Sequence, residues 1–139
     1  MAEWIGHLTL IGDDFDLPQV TEALSCEPSW LRRKEEVLGN GRLFGHCEWG
    51  VETNLIVADE IYPVTDALTA LLPCSPQTLA EIAGEHRAEW NILFYIKVTD
   101  SFPVIEFTSD FIRFAAEIRA SIGFDVYGVS KDGEDSLEE

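Results

Sequence analysis

The stretch Arg42-Leu43-Phe44-Gly45-His46-Cys47-Glu48-Trp49-Gly50-Val51-Glu52 alternates with a period of two. Leu43, Gly45, Cys47, Trp49 and Val51 fall on one side, and Phe44, His46, Glu48, Gly50 and Glu52 on the other. Successive side chains of a strand point to opposite faces, so this pattern specifies a strand with one face on a core and the other toward solvent. Such a strand belongs to a sheet covered on one side only. The rest of the chain must supply its neighbours and its cover.

Upstream, Trp4 to Ile11 reads as a second strand, with Trp4, Leu8 and Leu10 on one side and His7 and Thr9 on the other. Gly12-Asp13-Asp14 breaks it. Asp16 then has the position of a helix N-cap, with Gln19 at capping-box spacing and Pro18 in the first turn. Leu17, Val20, Ala23 and Leu24 form one apolar helical face that ends near Ser25, and residues 26–41 read as a polar connection closing on Gly39-Asn40-Gly41. Downstream, Ile61, Val64, Leu68, Leu71 and Leu72 keep helical spacing until Pro73, and Ser75-Pro76 opens a helix carrying Leu79, Ile82 and Ala83. Trp90 to Thr99 is an apolar strand, and Val104 to Phe107 is expected to form a shorter one. Thr108 or Ser109 caps a helix with Phe111, Phe114, Ala115, Ile118 and Ile122 inward, and Phe124 to Val129 closes the order as a strand.

The expected fold is therefore α+β, a mixed sheet built from two strand-helix-strand units with a helical segment between them. Right-handed crossovers in both units would place the helices mainly on one face. The other face would carry His7, Thr9, His46, Glu48, Glu52, Tyr95, Lys97 and Tyr127, a polar surface open for binding. Residues 1–130 are expected to form one domain, and 131–139 a disordered acidic tail. A chain of this length buries roughly two thirds of the surface exposed when unfolded, enough for one core.

Charge limits the partners. The chain holds 26 Asp and Glu against 9 Lys and Arg, a formal net charge of -17 in 139 residues. Residues 32–42 are locally positive, with Arg32, Arg33, Lys34 and Arg42, whereas 43–86 hold Glu48, Glu52, Asp59, Glu60, Asp66, Glu81 and Glu85 and no Lys or Arg. Nucleic-acid binding requires cations to replace phosphate counterions, so direct contact with nucleic acid is not expected. The excess of acid suits either a solubility surface or a docking face for something basic.

No GxSxG, Walker or GxGxxG motif occurs, and the three histidines fit no zinc spacing. Asp13, Asp14 and Asp16 lack the longer ligand series of a calcium loop and read as a turn and helix cap. His46 and Cys47, adjacent on a strand, point to opposite faces and cannot act as base and nucleophile together. His7 and His46 would share a polar surface with Glu48 or Glu52 if their strands were neighbours. No cofactor, metal or catalytic residue is expected, and the chain is read as a binding protein without enzymatic activity. The N-terminus shows no signal-peptide pattern, no apolar run is long enough to span a bilayer, and Cys26, Cys47 and Cys74 suit a reducing compartment, so a soluble cytoplasmic protein is expected.

Ile11-Gly12-Asp13-Asp14-Phe15-Asp16 leading into a helix, Glu27-Pro28 with a downstream Trp and Lys, the Trp49 strand, Phe94-Tyr95-Ile96, the Phe107-Thr108-Ser109 helix start and Phe124-Asp125-Val126-Tyr127 together resemble the bacterial domain-of-unknown-function family numbered 4279. The resemblance covers nearly the whole chain. It implies a small bacterial α+β domain, transfers no catalytic residue, and carries an association with immunity proteins of toxin systems. The chain departs from it at Trp30-Leu31-Arg32-Arg33-Lys34-Glu35, where the family's phrase is Trp-Arg-Lys-Gly.

The expected function is an immunity-type protein that neutralises a basic toxin, a nuclease being the class that must present Lys and Arg to phosphate. The alternative is a module that binds a small ligand or assembles with itself through the open sheet face. The expected contact residues are Glu48, Glu52, Asp59, Glu60 and Asp66, with Asp13 and Asp14 secondary and Tyr62 and Trp30 as aromatic anchors.

Overall fold

The computed structural model describes residues 1–35, 37, 39–41 and 45–128. The expected tail and Arg42, Leu43 and Phe44 of the quoted stretch lie outside them. The chain forms β1 (Ala2–Gly12), α1 (Leu17–Leu24), β2 (Trp30–Arg32), β3 (Cys47–Glu52), β4 (Ile56–Ala58), α2 (Tyr62–Thr69), α3 (Pro76–His86), β5 (Ala88–Val98), α4 (Ser109–Glu117) and β6 (Ser121–Gly128). The class is α+β, with one mixed six-stranded sheet in the order β2-β3-β1-β5-β6 and β4 paired to β1 beyond β3. No helix among the described residues is long and apolar enough to cross a membrane.

The sheet is built outward from β1 and β5, which pair antiparallel along their full lengths from Ala2↔Val98 to Gly12↔Ala88. β3 occupies the other side of β1 from His7↔Glu52 to Gly12↔Cys47, and β4 continues that side from Ala2↔Ala58 to Trp4↔Ile56. Thr53 joins the two short strands. Its backbone N–H donates to the Gly6 carbonyl at 2.9 Å, and its hydroxyl accepts from the Gly6 N–H at 3.0 Å. Among the described strands, β5 and β6 pair in parallel, joined through α4. The first strand-helix-strand unit differs from expectation, because β1 and β3 are antiparallel and need no crossover.

One face of the sheet carries Trp4, Leu8 and Leu10 of β1, Trp49 of β3 and Trp90 and Phe94 of β5, all buried. Each helix is tied to that face by a named contact. In α1, the Thr21 hydroxyl accepts from the Trp49 indole at 2.9 Å. In α2, Leu68 and Val64 pack over Gly6, where a methyl group would come within 2.8 Å of Leu68. In α3, the Leu79 carbonyl accepts from the Trp90 indole at 2.8 Å, and in α4 the Phe111 ring lies 6.1 Å from that of Phe94. Burying a tryptophan in such a layer stabilises the fold by roughly 4–6 kcal/mol from area alone. Indole N–H groups buried with it need partners: α1 and α3 supply them for Trp49 and Trp90, and the Ala58 carbonyl of β4 accepts from Trp4 at 3.1 Å.

The caps follow the sequence closely. Asp16 accepts from the Gln19 N–H at 3.0 Å, Ser75 from Thr78 at 3.1 Å and Thr108 from Phe111 at 3.1 Å. Val104 to Phe107 is a correction: it forms no strand, only a single bridge from Val104 to Glu60. Val104 exchanges backbone bonds with Asp59 and Ile61 in the approach to α2, while Phe107 packs on Phe94, Phe111 and Phe124. The segment plugs the core between α4 and β6 instead of extending the sheet.

Candidate functional site

Among the described residues, no helix lies on the second face of the sheet. The registers stack its side chains in rows: Trp30, Gly50, Thr9, Asn91 and Ser121 in one, and Glu52, His7, Leu93 and Gly123 in the next. Tyr95 and Asp125 share the row after that, and Glu48 and Ile11 stand beyond the first. The expected open face is therefore formed, with His7, Thr9, Glu48, Glu52, Tyr95, Lys97 and Tyr127 on it.

Gly50 lets this face be built as it is. The Trp30 indole lies directly over it, and a β-carbon at that position would come within 2.1 Å of the ring. From there the indole N–H donates to Glu48 Oε1 at 2.8 Å. The Trp30 ring contacts His7 with centroids 4.6 Å apart, and His7 contacts Tyr95 at the same spacing. Three aromatic rings thus run in a ladder from β2 across β1 to β5. His7 Nε2 lies 3.3 Å from Glu52 Oε1, and His46 Nε2 lies 3.7 Å from Glu48 Oε2. The suggested meeting of both histidines with these two glutamates therefore occurs.

Burial decides the charge of His7. Its side chain is 19% exposed. Desolvation holds its pKa below the usual histidine value, against the opposing pull of Glu52 and then Glu48. The imidazole is held toward its neutral form, with Nε2 beside the Glu52 carboxylate. Burial likewise pushes the Tyr95 phenol up, helped by Asp125, Glu48 and Glu52.

Beside the ladder is a concavity of about 400 Å³. Its floor is Thr9, Asn91 and Leu93, and its walls include Trp30, Glu48 and Tyr95. It exists because Ser121 and Gly123 of β6 are small. Asn91 accepts a hydrogen bond from the Ser121 hydroxyl, and both residues line the concavity. Aromatic faces next to carboxylates suit a cation, and they repel phosphate or carboxylate ligands. Among the described residues, no group of three or more His, Cys, Asp and Glu is placed to hold a metal ion.

Of the expected contact residues, Trp30, Glu48 and Glu52 come together here. The others lie elsewhere. Asp59 is 3.5 Å from the Met1 amino group, which also pairs with Asp100, at the start of β1. Glu60 is beside it, and the Tyr62 hydroxyl donates to Glu106 at 3.1 Å. Asp66 lines a groove between α2 and α4, on the helical side. Asp13 pairs with Lys34 at 3.1 Å, and Asp14 accepts from the Cys47 thiol, both at the far end of β1. An eleven-residue strand spans roughly 35 Å, so Asp59 and Asp13 belong to opposite ends of the molecule. The nine residues do not make one continuous surface. His7, Thr9 and Asn91 complete the concavity but were not among the expected contact residues. Alternation placed His7 and Thr9 on the open face, but their juxtaposition with Trp30 depends on a register that no local pattern encodes.

No curated protein and no solved structure gives a match to the chain. The family model described as Domain of unknown function (DUF4279) matches residues 2–129, and the chain belongs to that family.

Proposed function

We propose that this protein is a non-catalytic binding domain of immunity type, which captures and neutralises a basic toxin through the open face of its sheet. The observation that carries this reading is the union of Trp30, Glu48 and Glu52 on the sheet face that no described helix covers: an aromatic anchor in register between two carboxylates, on a chain of net charge -17. A nuclease must present Lys and Arg to phosphate, and a face of this composition competes for the same field. Complementary charge raises association rates from about 10⁵–10⁶ to as much as 10⁸–10⁹ M⁻¹s⁻¹ at low salt. Rim charge contributes little affinity by itself, so Trp30 supplies the anchor that the glutamates cannot.

The test is capture of the partner from the native host by the full chain, followed by association kinetics with the purified partner. The expected partner is basic, and Glu48→Lys with Glu52→Lys is expected to slow association at least tenfold, an effect that shrinks with added salt. Glu81→Lys with Glu85→Lys, on α3 in the helical layer, changes charge equally and is expected to have a much smaller effect. An acidic partner, or equal effects from the two reversals, would overturn the reading. A module for a small ligand is the second reading, favoured by the concavity beside Trp30.

A further inference from the structure

We infer that the concavity beside Trp30 is a receptor for one arginine side chain, supplied by the basic partner, with the guanidinium held between the Trp30–His7–Tyr95 ladder and Glu48. This deepens the binding reading above and rests on it for the source of the arginine.

Three features select this chemistry. The walls are aromatic faces on which a planar guanidinium can stack, and a compact, strongly hydrated ammonium gains less there. The acceptors are arranged for a fork of donors. Glu48 Oε1 accepts from the Trp30 indole and Oε2 lies 3.7 Å from His46 Nε2, and each carboxylate oxygen has a second lone pair for a further donor, while Asn91 and Thr9 line the floor. Finally, Leu93 and Ile11 provide apolar surface for the methylene stem, so the whole side chain has a complementary path.

The charge balance of the face favours a cation as well. Glu3, Glu48, Glu52, Glu89 and Asp125 share the open-face registers, against Arg32 and Lys97. Those two cations stand toward opposite ends of the face, Arg32 in the row of Glu48 and Lys97 in the row of Glu3. Arg32 thus stands across from Glu48 at one edge of the concavity, and Lys97 stands beyond Tyr95 at the other, so the acidic groups still outnumber the cations around it.

The experiment titrates N-acetyl-arginine amide into the isotope-labelled full chain and follows the four indole N–H signals. Trp4, Trp49 and Trp90 are buried under the helices, so they serve as internal controls for Trp30. A saturable shift of the Trp30 signal alone is expected at millimolar concentration. N-acetyl-citrulline amide, neutral and nearly isosteric, is expected to bind at least about tenfold more weakly, and N-acetyl-lysine amide severalfold more weakly. Glu48→Gln keeps an acceptor for the indole and removes the charge; it is expected to weaken arginine binding about fivefold or more with the three control signals unmoved. No saturable shift, citrulline equal to arginine, or lysine tighter than arginine would overturn the inference. The two claims fail separately. A basic partner that still depends on Glu48 and Glu52 while the arginine probe fails would remove only the arginine receptor. Arginine binding with no basic partner would remove the immunity reading and leave a small-cation site.

Discussion

His7 shows how one residue couples the fold to the site. It sits on the uncovered face, yet Trp30 and Tyr95 enclose it from both sides, and desolvation outweighs the two glutamates that would otherwise favour its charged form. A histidine whose folded pKa lies below its unfolded value of about 6.5 takes up a proton more readily when the chain is unfolded. Above that value both states are neutral and His7 adds no pH dependence. As the pH falls through about 6.5 toward the lower folded pKa, the unfolded chain gains protons first and stability declines. Denaturant unfolding at pH 7.5, 6.5 and 5.5 should show this loss, and His7→Gln should flatten it over that window. A wild-type stability that rises on acidification across the same window would contradict the burial argument. The residues of α3 and α4 lie on the opposite face of the sheet, so the groups that set this titration are Glu52, Glu48, Tyr95 and Asp125 on the strands themselves.

At the scale of elements, β2 depends on an absence. Its three residues could not form a strand alone, and they are held by pairing with β3 and by the indole lying over Gly50. Gly50→Ala must expel that ring, at a cost of about 1–3 kcal/mol measured by denaturant unfolding. In a Trp30→Ala background the same change should cost less than about 0.5 kcal/mol, because nothing then occupies the space. Equal costs in both backgrounds would mean that the Trp30–Gly50 contact does not hold β2 in place. The dependence on a remote partner also explains what was legible in the sequence. The alternation of residues 42–52, the caps at Asp16, Ser75 and Thr108, and the helical faces of Leu17–Leu24 and of Phe111, Phe114, Ala115 and Ile118 are local signals, and an element formed at each. The described strand keeps only Cys47–Glu52, however, and Ile122, expected on the last helix, belongs to β6. β2 and β4 have three residues each, too few for a period to register, and they exist because β3 and β1 offer free edges. Val104 to Phe107 has strand composition, yet Phe107 is taken up by the phenylalanine cluster before a ladder can form. The open face could be anticipated from alternation alone. The concavity in it could not, because it requires Trp30, His7 and Asn91 from three strands in one register.

The whole molecule divides by face. Helices cover one side of the sheet with a core of tryptophan and phenylalanine, and no described helix lies on the other. Acidic groups stand on both sides and at both ends of β1, so net charge by itself does not choose a binding surface. In the proposed reading it is Trp30, joined to Glu48 and His7, that singles out the sheet face. This distinction separates long-range attraction, to which every carboxylate contributes, from a contact that only the sheet face can make. The most direct measurement of the central claim is the amide and indole footprint of the captured basic partner on the isotope-labelled chain. The account predicts perturbation of the Trp30 indole and of β1, β3 and β5 around His7, Glu48 and Tyr95, with α1 to α4 little changed. A footprint centred on the helical layer, with the Trp30 signal unmoved, would contradict it.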